Sequence, residues 1–257
     1  MKPLAIDLCC GLGGWADGLL AEGWYVVGFD IERHVYGEHR YPAQLVIQDV
    51  LTLHGSQCRH AGLIVASPPC QGYSYRAMPW SRAKALPPPD NTLFETCFRI
   101  QREACEAAGR HIPMIVENVR GAQRWGGRAR WHYGSYYLWG DVPALMPTTA
   151  AYKSAGLNWS DRTKRGQDFT RVAGRRAMDQ HKHDGSGWRE NGTPQSSNRM
   201  VPDGIKQGGN WWHDPNSVSR QSSSKSPRRK EASAMIAKIP FPLAHHIGAV
   251  FHPHRSR

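Results

Sequence analysis

The chain has 257 residues, with 33 Lys and Arg against 21 Asp and Glu and a formal net charge of +12, a length that accommodates one large α/β domain plus a modest appendage and a charge that favours a polyanionic partner. No apolar run approaches the ~20 residues of a membrane-spanning helix and no signal-like segment follows Met1, which sets aside a membrane and leads us to expect a cytoplasmic protein. The six cysteines contain no Cys-x-x-Cys pair, which fits a reducing compartment and excludes the usual secreted framework.

In chain order, residues 4–9 read as a first strand, Gly11-Leu12-Gly13-Gly14 as a turn, and residues 15–21 as the start of a helix stopped near Gly23. Residues 24–29 form a second strand closing on Asp30, and residues 44–47 a third closing on Asp49. Residues 62–66 are a short apolar run suited to a buried parallel strand, leading into Ser67-Pro68-Pro69-Cys70-Gln71-Gly72-Tyr73-Ser74. Residues 75–90, rich in Pro, Arg and Lys, read as a long loop; Thr92 and Glu95 have capping-box spacing for a helix to about Ala108. Residues 113–116 are a fifth strand ending on Glu117-Asn118. Alternating strands and helices predict a mostly parallel sheet.

Composition changes near residue 150. From 151 to 231 there are 16 Lys and Arg against 8 Asp and Glu, many Gly, Ser, Asn and Gln, and Trp159, Trp188, Trp211 and Trp212. Tryptophans scattered among basic residues favour a loop-rich module ordered with a partner over a bare linker. The histidine group at 179–184 lacks a matching pair at zinc spacing, so no metal site is expected there. Apolar periodicity returns from 232 to 251, interrupted at Pro240 and Pro242. The expected division is 1–150 catalytic and cofactor-binding, 151–231 recognition, and 232–257 a helix returning to the first domain.

The consecutive prolines fix φ and place Cys70 rigidly at the exit of a strand, the arrangement by which an α/β protein aims a nucleophile at a ligand above its sheet. Gly11, Gly13 and Gly14 let backbone amides approach a ligand at a helix start. Asp30, about 20 residues on, is placed to bridge ribose hydroxyls. Asp49 can accept from an exocyclic amine, and Ile31 and Pro68 can sandwich an adenine. A glycine turn alone also suits nicotinamide cofactors; the two acidic strand ends with the Pro-Pro-Cys turn point to S-adenosylmethionine.

Asp7-Leu8-Cys9-Cys10-Gly11-Leu12-Gly13-Gly14-Trp15, Phe29-Asp30-Ile31-Glu32, Gln48-Asp49-Val50, Ser67 to Ser74 and Glu117-Asn118-Val119 together resemble the DNA cytosine-5 methyltransferase family, in family order across about 120 residues. Tyr137-Leu138-Trp139-Gly140-Asp141-Val142-Pro143 resembles a segment of phage-type members. The resemblance implies a Rossmann-like S-adenosylmethionine-dependent methyltransferase with a small, loop-rich basic recognition region. It implies methyl transfer to carbon 5 of a cytosine swung out of double-stranded DNA, with the enzyme working as a monomer on DNA in a bacterial or phage-infected cell, in or outside a restriction-modification system. Cys70 would attack carbon 6, Glu117 would assist at the ring nitrogen, Asn118 would hold the loop or base edge, and Arg130 would contact the cytosine or its phosphate. Asp7, Cys9, Gly11, Gly13, Gly14, Asp30, Ile31, Asp49, Val50 and Pro68 would line the cofactor site, and Gln71, Ser74, Arg76 and Arg128 would touch substrate.

The chain departs from the family in places. Cys9 stands where most members carry a phenylalanine that packs on the cofactor. The family's Gln-x-Arg-x-Arg block is represented by Gly126-Gly127-Arg128-Ala129-Arg130, without the glutamine. The usual Gly-Asn element near the C-terminus is absent. Cytosine-5 methylation of RNA, as by a tRNA-modifying enzyme, would use the same blocks. An inactive DNA-binding regulator on this scaffold is disfavoured by the intact Cys70 and Glu117.

Overall fold

The structure is a computed structural model that describes residues 2–73, 87–133, 136–146, 230, 234 and 237–253. Its elements are β1 (Leu4–Leu8), α1 (Gly14–Ala21), β2 (Tyr25–Asp30), the short hairpin β3 (Val35–Tyr36) and β4 (His39–Arg40), β5 (Gln44–Ile47) and β6 (Leu63–Ala66). They continue with α2 (Thr92–Ala108), β7 (Met114–Asn118), α3 (Gln123–Gly126), β8 (Trp131–Tyr133), β9 (Tyr136–Gly140) and α4 (Phe241–Phe251). Residues 74–86 and 151–229, including Ser74, Arg76 and most of the expected recognition region, lie outside the described residues.

Among the described residues, seven strands form one sheet in the order β5-β2-β1-β6-β7-β9-β8. The pairs from β5 to β7 are parallel, and β9 runs antiparallel to both β7 and β8. This is the α/β, Rossmann-like, mostly parallel architecture expected from the alternation of elements. The order reverses between β1 and β6, which makes the crevice above their carboxyl ends the topological switch point where such sheets bind ligands.

Strand alternation sorts the core onto two faces. Ile6, Leu8, Ile64, Ala66, Met114 and Val116 meet Phe94, Cys97, Ile100 and Ala104 of α2 on one side. Ala5, Val26, Leu63, Val65, Ile115 and Leu138 meet Trp15 and Leu19 of α1 and Leu243, Ala244 and Ile247 of α4 on the other. Both faces are covered, so β6 and β7 read as unbroken apolar runs.

Helix α1 is capped at its start by Gly13 (φ 75°), and Gly23 (φ 86°) turns the chain after its end. It meets α4 at backbone distance: a Cβ on Gly14 would strike the Ile239 backbone, and one on Gly18 would strike Ala244 and His245. Lys238 Nζ lies 2.7 Å from Asp17 Oδ2, His245 Nε2 lies 2.6 Å from Glu22 Oε1, and Trp24 Nε1 donates to the Gly248 carbonyl at 2.9 Å. Helix α4 begins after Pro240, with Pro242 in its first turn where a missing N–H costs nothing.

The capping expectation for α2 needs correction. Thr92 is already helical; Asp90 Oδ1 accepts its N–H at 2.9 Å, while Asn91 Nδ2 donates to Glu95 Oε1 at 2.8 Å. The cap therefore lies one to two residues earlier than the Thr-x-x-Glu spacing suggests. Strands β8 and β9 and the β3–β4 hairpin were not anticipated as strands.

Candidate functional site

Five strand ends open on the same edge of the sheet. The β1 end is the turn Cys9 to Gly13, where alternate residues hold positive φ: Cys9 55°, Gly11 51° and Gly13 75°. A non-glycine residue in this region is uncommon and costs about 1 kcal/mol or more. The turn is pinned by Cys10 N–H donating to the Phe29 carbonyl at 3.1 Å, Gly13 N–H to the Cys10 carbonyl at 2.8 Å, and Gly11 N–H to Asp30 Oδ2 at 2.8 Å. Nothing lies within 4 Å of a Cβ built on Gly11, so that position faces open space.

Asp30, at the end of β2, also accepts from Glu32 N–H at 3.3 Å and lies 3.5 Å from His34 Nε2 through Oδ1. Burial pushes its carboxyl up, but the His34, Gly11 and Glu32 donors outweigh that and hold it below its ordinary value. Next to it Ile31 is 69% exposed, an apolar side chain presented to solvent at a strand end. At the end of β5, Asp49 caps a short 3₁₀ turn, Oδ1 accepting from Leu51 N–H at 2.9 Å, and the following Val50 is buried.

The thiol-bearing turn leaves β6 under restraint from three directions. Ser67 N–H donates to the Leu8 carbonyl at 3.1 Å, Trp15 Nε1 to Ser67 Oγ at 2.9 Å, and Asn118 Nδ2 to the Pro68 carbonyl at 2.9 Å. Beyond it Tyr73 N–H donates to the Cys70 carbonyl at 3.0 Å, and the buried Tyr73 sends its hydroxyl to Asn91 Oδ1 at 2.5 Å. Pro68 is buried, Cys70 half-buried and Gln71 exposed. Glu117 is 8% exposed at the end of β7, with Asn118 fully buried beside it.

The other cysteines separate from Cys70 by environment. Burial pushes the thiols of Cys9 and Cys10 far up, that of Cys58 to about 11 and that of Cys97 to about 12, keeping all four protonated. Cys105 is engaged with Ile112, whose N–H points at its Sγ at 3.2 Å.

Asp7, Gly13 and Gly14, expected at the cofactor site, are buried. Asp7 has no exposure; Oδ2 accepts the Tyr41 hydroxyl at 3.2 Å, Oδ1 is buried with no hydrogen-bond partner, and burial raises the carboxyl well above its usual range. It lies beneath the surface at the end of β1, with Tyr41 as its hydrogen-bond partner. Gly13 and Gly14 are buried too, packed against Tyr41 with Pro42 and against Ile239; their missing side chains serve packing, and Gly11 is the glycine of the three with space beside it.

Arg128 and Arg130 are exposed in the segment entering β8, where Arg130 N–H donates to the Leu138 carbonyl at 2.9 Å. Several residues were missed by the sequence reading: Tyr41, Trp15, Ser67, His34 and Gln123. Gln123 Oε1 accepts the Ala129 N–H at 3.2 Å, so a glutamine braces the Arg-x-Arg segment from outside the expected spacing. Tyr41 reaches Asp7 across 34 residues and Trp15 reaches Ser67 across 52, separations that no local motif records. His34 and Gln123 act locally, four residues from Asp30 and six from Ala129, and Trp15 and Ser67 were quoted in motifs without a role.

No protein-family model matches the sequence, and no curated protein matches it. Among solved structures the chain is similar to Dnmt2 methyltransferase of S. pombe, at 16% identity and a TM-score of 0.32 over 48% of this chain, and it spans 35% of that one. It is similar to a prophage-encoded protein of E. coli described as a DNA modification methyltransferase, at 15% identity and a TM-score of 0.42 over 96% of this chain and 97% of that one. It is also similar to the methyltransferase EhMeth of Entamoeba histolytica, at 10% identity and a TM-score of 0.47 over 98% of each.

Proposed function

We propose that the chain is an S-adenosylmethionine-dependent methyltransferase that modifies carbon 5 of cytosine in double-stranded DNA. The observation that carries this reading is the restrained Pro-Pro-Cys turn tied by Asn118 to the strand end bearing Glu117, beside the sheet's switch point.

The residues suit the cofactor: carboxylates at the ends of the neighbouring strands β2 and β5 at Asp30 and Asp49, the exposed Ile31 and the open space beside Gly11. Asp30, Ile31, Asp49, Val50 and Pro68, with the turn from Cys9 to Gly13, would hold it. Bound there, S-adenosylmethionine supplies a methyl group on a positively charged sulfur.

Carbon 5 of cytosine is too weak a nucleophile unless the ring is activated. Cys70 Sγ, as thiolate, bonds to carbon 6, and the electron pair of the 5,6 double bond becomes available at carbon 5. Glu117 hydrogen-bonds the ring nitrogen and stabilises the charge that attack creates. After carbon 5 is methylated, its proton leaves to a base, the 5,6 double bond re-forms and the Cys70 thiolate departs. Asn118 keeps the turn in place through the Pro68 carbonyl. Arg130 and Arg128, with Gln71, Ser74 and Arg76, are assigned to the extruded nucleotide and its phosphates, and residues 151–231 to reading the target.

The test is transfer of labelled methyl groups to DNA, with bisulfite sequencing of plasmid from expressing cells. Cys70→Ala is expected to lose transfer completely while melting within about 1 kcal/mol of wild type, since Cys70 is half-buried in a turn. Transfer by that variant, or labelling of RNA but not duplex DNA, would overturn the mechanism or the substrate respectively.

A further inference from the structure

The line of side chains that starts at the Pro-Pro turn does not stop at Asn118. Asn118 pairs across the sheet with Tyr137 of β9, and Tyr137 with His132 of β8. These three residues therefore stand side by side on one face, about 5 Å from strand to strand. Asn118 is buried, Tyr137 half-buried and His132 exposed, so the row climbs from the edge of the proposed active site to open surface. At its outer end the His132 and Tyr137 rings stack, with centroids 5.0 Å apart and planes 20° from parallel.

The support beneath this pair is stiff. Arg130 N–H bonds to the Leu138 carbonyl, Trp139 Nε1 bonds to the Gly127 carbonyl at 2.9 Å, and Trp139 packs edge-on against Phe94 at 5.3 Å. The segment leading into β8 brings the exposed Arg128 and Arg130, and Arg124 lies over the Trp125 ring at 5.3 Å. A facing aromatic pair stabilises a two-stranded ribbon by itself. That role does not call for two exposed arginines in the four residues before His132, nor for a position about 10 Å from Asn118 along the same row.

The geometry points to a nucleotide-stacking surface: the His132–Tyr137 pair receives a base of the nucleic-acid strand next to the target nucleotide, while Arg128 and Arg130 hold its phosphates. Aromatic faces accept any base, so this contact adds affinity without sequence preference. The identity of the strand rests on the methyltransferase reading; the contact itself does not require methyl transfer.

Binding of a fluorescein-labelled, mixed-sequence DNA single strand and its duplex, measured by anisotropy over a series of salt concentrations, tests it. His132→Thr keeps a strand-forming residue but removes the ring. It should weaken binding about tenfold at every salt concentration, most on the single strand, with the slope of log affinity against log salt unchanged. His132→Phe should restore wild-type binding, and Arg130→Gln should reduce the slope by about one. Wild-type affinity for both probes in His132→Thr, with only its melting temperature lowered, would mean the pair is a ribbon staple and would overturn the proposal. A wild type that binds these probes yet transfers no label would remove the enzymatic reading and leave this one standing.

Discussion

Asp7 is a fully buried carboxyl at the end of β1. A carboxyl with no exposure, one oxygen on Tyr41 and the other without a partner is disfavoured as an anion, which is why burial holds it protonated above its ordinary range. The folded chain thus keeps a proton that the unfolded chain releases above about pH 4. The stability tied to Asp7 is complete below that unfolded-state value and drains away as pH rises toward the folded-state one. Asp7→Asn keeps an acceptor for Tyr41 and has no proton to lose. Its unfolding free energy relative to wild type should therefore climb with pH from about 4 upward, by about 1.4 kcal/mol per pH unit within the window, until the folded carboxyl ionises. A difference that is flat or falls with pH in parallel melting scans would refute this. The sequence could not show it: the motif marks Asp7 as important, but its partner Tyr41 is 34 residues away. Asp30 and Asp49, by contrast, were legible because both close apolar runs.

Among the elements, α1 shows how packing reverses a helix-propensity rule. Replacing a helix-interior glycine by alanine ordinarily stabilises by about 0.5–1 kcal/mol. Gly18 faces the Ala244–His245 backbone so closely that a methyl group has no room, and Gly18→Ala should destabilise by about 1–3 kcal/mol instead. Urea denaturation reads the sign directly, and a more stable variant would show that α4 does not sit there. Strand β6 was visible because a strand buried on both faces is a continuous apolar run bounded by turn residues, while the edge strand β5, exposed at Gln44 and Ile47, was legible as a short apolar run closing on Asp49. Strands β8 and β9 were hidden because Trp131 to Tyr133 and Tyr136 to Gly140 are aromatic on both faces, giving neither alternation nor an aliphatic run. The two-residue strands of the hairpin are too short for any periodicity.

Across the whole molecule, the sheet converts sequence order into a shared edge. The ends of β1, β2, β5, β6 and β7 come from positions between residues 8 and 118 yet face one crevice, because parallel strands all point their carboxyl ends the same way. Charge is distributed unevenly, with 16 Lys and Arg against 8 Asp and Glu in residues 151–231. The last described stretch returns from that span and seats on the first helix: Ile239 against Gly14, Lys238 on Asp17, His245 on Glu22, and the Tyr136 hydroxyl on the Lys238 carbonyl at 3.2 Å. This seam is non-covalent, apolar at its centre through Leu243, Ala244 and Ile247, and ionic at its margins. Cutting the peptide chain once within residues 151–229 would therefore yield two pieces that stay mated. We expect them to co-elute on gel filtration in native buffer, part in denaturant, and rejoin when mixed from separate expression, so the protein carries the makings of a split reporter whose halves find each other through a glycine socket.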